Sequence, residues 1–387
     1  NAIAAVGRAG GDAASISIKL SALHPRFEDV QFERVMRELL PRVKQLALDA
    51  MRFQLPITID AEEADRLDLT LSVFEGLARD SELRAWRGLG LAVQAYQKRA
   101  PLVIDWLVAL ARETGRRFPV RLVKGAYWDS EIKRAQEQGL ADYPVYTLKT
   151  STDVSYLVCA GKMLAAGDAF ACQFATHNAH TIAAIAHMAQ GAPFEFQRLH
   201  GMGETVYRAV AEVTGATPRC RIYAPVGVHE DLLPYLVRRL LENGANSNFI
   251  NRFLDAKAPA SQLAADPIAA LKNIEIPRHP RIPLPADVYG PARRNSAGIN
   301  LADPLARAAL LNSIAASQTD APPAPAMLAD IDNAVISTRA AQPEWDARGG
   351  AARAEILRNA AGLIAENRAQ LIRLLIDEGC KTLADAM

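Results

Sequence analysis

Polar residues sit where short apolar runs end: Lys19, Asp60, Gln94, Arg121 with Lys124, the stretch Gln173 to His177, and Tyr223. Taken singly, each reads equally well as a structural residue satisfied by a neighbour. Their coincidence is harder to explain that way, because a buried charge without a partner costs several kcal/mol. A second constellation lies in Tyr235-Leu-Val-Arg-Arg-Leu-Leu-Glu242. Leu232, Leu233, Leu236, Val237, Leu240 and Leu241 form one helical face, and Tyr235, Arg238, Arg239 and Glu242 form the other. Adjacent arginines suit a carboxylate, since each planar fork offers two parallel hydrogen bonds, and Lys19 would add a third cationic donor. By pattern alone the same face reads more readily as solvated surface carrying an Arg–Glu pair. His177-Asn-Ala-His180 has the spacing of two metal ligands but no evident third, so no metal is expected. A helix start there would instead let Thr176 and His177 meet a phosphate. Asp60-Ala-Glu-Glu63 offers carboxylates for acid–base work, but successive residues at a strand end diverge.

These residues need elements that aim them at one place. β-rich runs recur at Ser15–Lys19, Pro56–Asp60, Leu91–Gln94, Val120–Lys124, Ala169–Gln173, Phe194–Gln197 and Arg221–Ala224. Segments of helical period separate them; Phe32 to Arg52, with Val35, Leu39, Leu40, Val43 and Leu46 apolar, is one. The alternation predicts repeated βα units around a parallel sheet. A closed barrel takes eight such units and places its chemistry at the C-terminal ends of the strands, where the polar residues fall. The expected fold is therefore α/β, a (β/α)8 TIM-like barrel whose first strand is missing from this chain. An open doubly wound sheet is the alternative, but no G-x-G-x-x-G follows a first strand, and Gly201-Met-Gly203 is only half a match. Proline-rich stretches from Ile274 to Pro291 and at Ala321-Pro-Pro-Ala-Pro325 read as linker or arm. Ile356, Leu357, Leu363, Ile364, Leu371, Leu374 and Leu375 then predict a helical segment. The resulting division is 1–252 barrel, 253–326 linker, 327–387 helices.

Composition excludes several classes. With 387 residues, half of them hydrophobic, the chain can bury a sizeable core. Its 44 basic and 43 acidic residues create no global field toward nucleic acid or anionic lipid. Cys159, Cys172, Cys220 and Cys380 form no C-x-x-C pair and read as reduced structural thiols of a cytoplasmic protein. No run approaches the roughly 20 apolar residues of a transmembrane helix. Asn1-Ala-Ile-Ala-Ala5 is neither an initiator nor a signal, which suggests a piece of a longer chain.

The longer motifs resemble the proline dehydrogenase domain of the bifunctional proline utilization A family. They are Ser17-Ile-Lys-Leu-Ser-Ala-Leu-His-Pro25, Ile59-Asp-Ala-Glu-Glu-Ala-Asp-Arg66, Gln94-Ala-Tyr-Gln-Lys-Arg99, Arg121 to Arg134, Gln173 to His180, Leu199-His-Gly-Met-Gly-Glu204 and Tyr235 to Asn246. The resemblance implies FAD as cofactor, L-proline as substrate and 1-pyrroline-5-carboxylate as product, by hydride transfer from C5 of the neutral amine to flavin N5. It assigns Lys19, Arg238 and Arg239 to the proline carboxylate, with Tyr127, Leu199, Tyr223 and Tyr235 around the ring and Asp60 and Ala61 beside the pocket. Gln94 and Arg121 would hydrogen-bond the isoalloxazine. Val123, Lys124, Gly125 and Ala126 would run along the cofactor, with Trp128 near the adenine. Thr147, Thr176, His177 and Glu242, together with Lys124, would hold its phosphate and ribose parts.

The resemblance further implies a membrane quinone as electron acceptor, a homo-oligomer, and a cytoplasmic protein with at most peripheral association at the inner face of the membrane. It implies an aspartate on a strand before Ser15, ahead of the point where the sequence begins. From Gln342 to Asp385 the chain resembles the N-terminal helices of an aldehyde dehydrogenase, with Cys380 in place of an expected glycine. The nucleophilic cysteine and NAD site of such an enzyme belong to the rest of a parent protein, so NAD is not expected to bind this chain. A non-catalytic carboxylate-binding scaffold is the competing class. A DNA-binding regulator finds no basic reader domain here.

Overall fold

The computed structural model describes residues 2–9, 14–228, 230, 232–233, 235–237, 265–318 and 326–387. Seven parallel strands form one sheet in sequence order: β1 Ile16–Ile18, β2 Ile57–Ile59, β3 Leu89–Gln94, β4 Phe118–Val123, β5 Phe170–Ala175, β6 Phe194–Leu199 and β7 Cys220–Tyr223. Helices bridge successive strands, beginning with Phe32–Arg52 between β1 and β2 and ending with Glu204–Thr214 before β7. Parallel neighbours require such crossovers, because a tight turn can join only antiparallel strands.

Strand alternation explains how the sheet packs. Ile57, Ile59, Leu91, Val120, Leu122, Cys172, Phe174 and Phe196 share one face and are buried. They meet Val35, Leu39 and Val43 of the first long helix, Val73 and Leu77 of Leu67–Ala78, and Ile104 and Leu107 of Ala100–Thr114 in a single apolar core. The intervening residues face the other way: Ser17, Thr58, Ala92, Arg121, Gln173, Glu195, Gln197 and Arg221, placed side by side by the strand register. The apolar face is turned to the helices, and the polar face to the barrel interior.

Curvature follows from one distance. Five inter-strand steps separate β2 from β7, about 24 Å in a flat sheet at the usual strand spacing. Tyr223 at the end of β7 nevertheless reaches the carboxylate of Asp60, just past β2, at 3.4 Å. Arg121 of β4 likewise reaches Ser17 of β1 at 3.0 and 3.1 Å. The sheet is curled as in a TIM-like (β/α) barrel, and its inner face converges on a common interior.

Residues 1–297 form one compact unit and residues 298–387 another. Helix Pro304–Ala316 opens the second, capped by the Asp303 carboxylate on the Leu305 amide at 2.9 Å. It lies inside the segment the proline content marks as linker, and it buries Leu310 with Ile372 and Ala386 in a small core. Helices Leu328–Ala347, Gly349–Glu366 and Arg368–Asp377 complete the unit's main framework. Among the described residues no helix is long and apolar enough to cross a membrane.

Candidate active site

Lys19, Asp60, Arg121, Tyr127 and Tyr223 come together at the C-terminal rim although 204 positions of sequence span them. Lys19 and Asp60 are the first residues beyond β1 and β2, Tyr223 is the last of β7, and Tyr127 precedes helix Trp128–Glu137. Arg121 donates to both the Asp60 carboxylate and the Ser17 hydroxyl, and its guanidinium lies 5.2 Å from the centre of the Tyr223 ring. Tyr223 donates to the other Asp60 oxygen at 3.4 Å. The Lys19 ammonium donates to the Tyr127 hydroxyl at 3.2 Å. Among the described residues this cluster sets two cations against one carboxylate.

Burial dominates its electrostatics. It pushes the Asp60 carboxyl above its ordinary value, with the charges of Arg121 and Lys19 opposing. The Tyr223 hydroxyl is pushed up to about 12, by burial first and by the nearby Asp60 charge second. The Tyr223 hydroxyl thus keeps its proton and can donate at neutral pH.

Neighbouring loops are tied to this cluster by Glu62, which the sequence reading weighed only as part of a carboxylate group for acid–base work. The Glu62 carboxylate accepts from the Ser21 amide at 3.0 Å, from the Ser21 hydroxyl, and from Arg66 at 2.8 Å. Its backbone carbonyl accepts from the Gln94 amide at 2.7 Å, and Ala61 precedes it in the same loop. Glu62 therefore links the loops that follow β1 and β2 to the end of β3. Ser17 was also missed, though it lies in β1 two residues before Lys19, where strand alternation gives both the same side.

The β4–helix loop passes through Val123, Lys124, Gly125 and Ala126. Gly125 has φ 142°, and a Cβ there would collide with the buried Tyr96 ring, so only glycine lets the backbone cross at this height. The missing Cβ leaves room for Tyr96, so the glycine serves the close packing of this loop on the Tyr96 ring. Lys124 pairs with Asp153, which also accepts from Lys149 at 3.2 Å; burial lowers the Lys124 pKa, and Asp153 opposes that shift. Trp128 donates its indole N–H to the Tyr146 carbonyl at 2.8 Å, and the Thr147 hydroxyl accepts from the His279 amide at 3.0 Å. Asp153 was not found from sequence, because nothing local pairs a helix residue with a strand end.

Thr176 and His177 follow β5, where Asn178 caps helix Ala179–Ala189 by accepting from the Thr181 amide at 2.9 Å. The Leu199 amide donates to His177 Nε2 at 3.1 Å, tying the ends of β5 and β6 together. His177 is thus engaged at the helix start. Tyr235 is helical, whereas Arg238, Arg239 and Glu242 lie outside the described residues.

The family model described as proline dehydrogenase matches residues 1–252, and that of the aldehyde dehydrogenase family matches residues 315–387. A Bifunctional protein PutA from Salmonella typhimurium is 46% identical over an alignment covering 100% of this chain and 33% of its own length. Its counterpart from Rhizobium meliloti is 53% identical over 80% of this chain and 25% of its own length. A crystal structure of bifunctional proline utilization A superimposes with a TM-score of 0.89 at 49% identity, covering 100% of this chain and 40% of that one. The chain spans about a third of the length of the first of these curated relatives.

Proposed function

Because the chain belongs to the proline dehydrogenase family, we propose that it forms the flavin-dependent barrel of an enzyme that oxidises L-proline to 1-pyrroline-5-carboxylate. The observation that carries the reading is the rim cluster, in which Lys19 and Arg121 outnumber the single carboxylate Asp60. A half-buried surplus cation, Lys19, favours an anionic guest, and proline brings a carboxylate. Lys19 binds that carboxylate together with Arg238 and Arg239. Tyr127, Leu199, Tyr223 and Tyr235 pack around the ring and exclude water, and Asp60 keeps Arg121 and Tyr223 in place.

FAD would lie along the loop from Val123 to Ala126, beside Lys124. When bound, it supplies the acceptor for hydride from C5 of proline. Arg121 and Gln94 orient the isoalloxazine, Val123 to Ala126 line it, and Trp128 flanks the adenine. Lys124, Thr147, Thr176, His177 and Glu242 hold the phosphate and ribose parts. Protein groups thus contribute position and charge. Electrons leave to a membrane quinone. Residues 315–387 would begin an NAD-dependent semialdehyde dehydrogenase in a longer, oligomeric parent, with NAD bound outside this chain. The division 1–252, 253–326 and 327–387 is proposed on the same footing.

The test is anaerobic addition of L-proline to protein reconstituted with FAD. Loss of the oxidised flavin absorbance, dependent on proline and absent with D-proline, is expected. Protein that takes up no FAD, or whose flavin stays oxidised with L-proline, overturns the proposal.

A further inference from the structure

Residues 143–147 lie between helix Trp128–Glu137 and helix Lys149–Ala165, and they are held from two sides. On the barrel side, the Tyr146 amide donates to the Tyr96 carbonyl at 2.8 Å and the Lys98 amide to the Pro144 carbonyl at 3.0 Å. On the other side lies the proline-rich segment. The buried Tyr143 hydroxyl accepts from the Gln136 side chain at 2.8 Å and donates to the Pro283 carbonyl at 2.6 Å. The His279 amide donates to the Thr147 hydroxyl at 3.0 Å, and the Asn295 side chain to the Gln136 carbonyl at 2.8 Å. Ile282 packs on a small apolar cluster of Tyr96, Ile132, Ala135, Tyr143 and Val145, which Trp128 also borders. The Asn295 backbone amide donates to the Ala286 carbonyl at 2.8 Å, so the segment folds back on itself. It belongs to the same compact unit as the barrel, whereas a linker that acts only as a spacer needs no such bonds.

We propose that residues 279–295 are a strap that fixes Trp128 and Thr147, and that the strap thereby makes the barrel select FAD over FMN, which lacks the adenylate half. Trp128 is bonded to the Tyr146 carbonyl and Thr147 to the His279 amide, so both stand on the segment that the strap closes. Releasing the strap leaves residues 143–147 supported from the barrel side alone. The fraction of protein with both residues in place then falls, and affinity falls with it, because a ligand binds only the competent fraction. Gln94 and Arg121 stand on β3 and β4, away from the strap's bonds, so the isoalloxazine side is spared. The selection rests on the proposed placement of the adenine at Trp128 and of the phosphate and ribose parts at Thr147; the strap itself does not.

Two variants test it. Ile282→Ala combined with Asn295→Asp loosens the strap while leaving Trp128 and Thr147 unchanged, and Tyr143→Phe removes the bond to Pro283 from the opposite side. In titrations of flavin-free protein, each is expected to weaken FAD binding about tenfold and FMN binding less than about twofold. Hydrogen exchange of flavin-free protein should show the Tyr146 amide exchanging about tenfold faster in both variants, with the amides of β3 and β4 as in native protein. Unchanged FAD affinity, equal weakening of FAD and FMN, or unchanged exchange at Tyr146 overturns the proposal. So does native protein that binds FMN as tightly as FAD. If native protein takes up no FAD, the proposed function fails, and exchange at Tyr146 alone decides the strap.

Discussion

Two carboxylates on the inner face of the barrel, Asp60 at the rim and Glu195 near the floor, sit in opposite electrostatic regimes. Glu195 is the second residue of β6, and Arg221, the second of β7, grips both its oxygens at 2.8 and 2.9 Å. Gln197 donates to it at 2.9 Å, and Arg219 lies 3.6 Å away. Burial alone would raise the Glu195 pKa, but these bonds outweigh it and hold the carboxyl below its ordinary value. At Asp60 the balance falls the other way and the pKa is raised. The floor carboxylate is held ionised by a dedicated fork, whereas Asp60 shares its arginine with Ser17. On the proposed reading the rim must accommodate the proline carboxylate, which a saturated carboxylate–arginine fork would not allow.

The largest expected consequence concerns the two arginines. Arg221→Met leaves the ionised Glu195 buried without its fork and should destabilise flavin-free protein by about 3–5 kcal/mol. Arg121→Met should cost less, about 1–3 kcal/mol, because Asp60, with its raised pKa, can take a proton instead. Activity should show the reverse order: Arg121→Met loses flavin bleaching by proline, while folded Arg221→Met retains it. Urea denaturation and anaerobic bleaching of the two variants measure both. Equal stability losses would erase the distinction between rim and floor.

Rim and floor also differ in how far they could be read from sequence. All seven strands were marked by their composition, and the rim was visible because a polar residue closes almost every apolar run. Strand starts were less so: β3 begins at Leu89, two residues early, because Gly90 hid the pattern. That glycine lets the Pro119 carbonyl of β4 approach, where a Cβ would lie 2.7 Å from it. The floor was invisible, since Glu195 and Arg221 are 26 positions apart and only the pairing of β6 with β7 brings them together. Cross-strand register is a tertiary fact that local spacing does not encode. Helix Pro304–Ala316 was missed because flanking prolines looked like a linker. One of them, Pro304, occupies the first helical turn, where its missing N–H is harmless.

A pH series sharpens the contrast through opposite signs. Glu195, with a lowered folded pKa, contributes stability that is present above its unfolded pKa and lost as pH falls through the folded value. Asp60, with a raised folded pKa, contributes stability that is present below its unfolded pKa and lost as pH rises through the folded value. Relative to native protein, Glu195→Gln should therefore be penalised more as pH rises through the carboxylate range, and Asp60→Asn less. Denaturant midpoints collected across that range give both slopes. Slopes of the same sign would show that one environment governs both groups.

The smallest effect separates two glutamines between the levels. Gln197 is buried and bonded to Glu195, so Gln197→Leu removes a hydrogen bond to a charge and should cost about 1.5–3 kcal/mol. Gln173 stands beside Glu195 on one side and Arg121 on the other by strand register, yet its side-chain oxygen is buried with no partner among the described residues. Gln173→Leu removes an acceptor whose desolvation is uncompensated, and should change stability by less than about 1 kcal/mol. If the same substitution weakens FAD uptake, measured as flavin bound per chain, the unpaired oxygen belongs with the rim. Unchanged uptake together with a loss matching that of Gln197→Leu would place it with the floor, and the boundary between the two regions would move up to the level of Arg121.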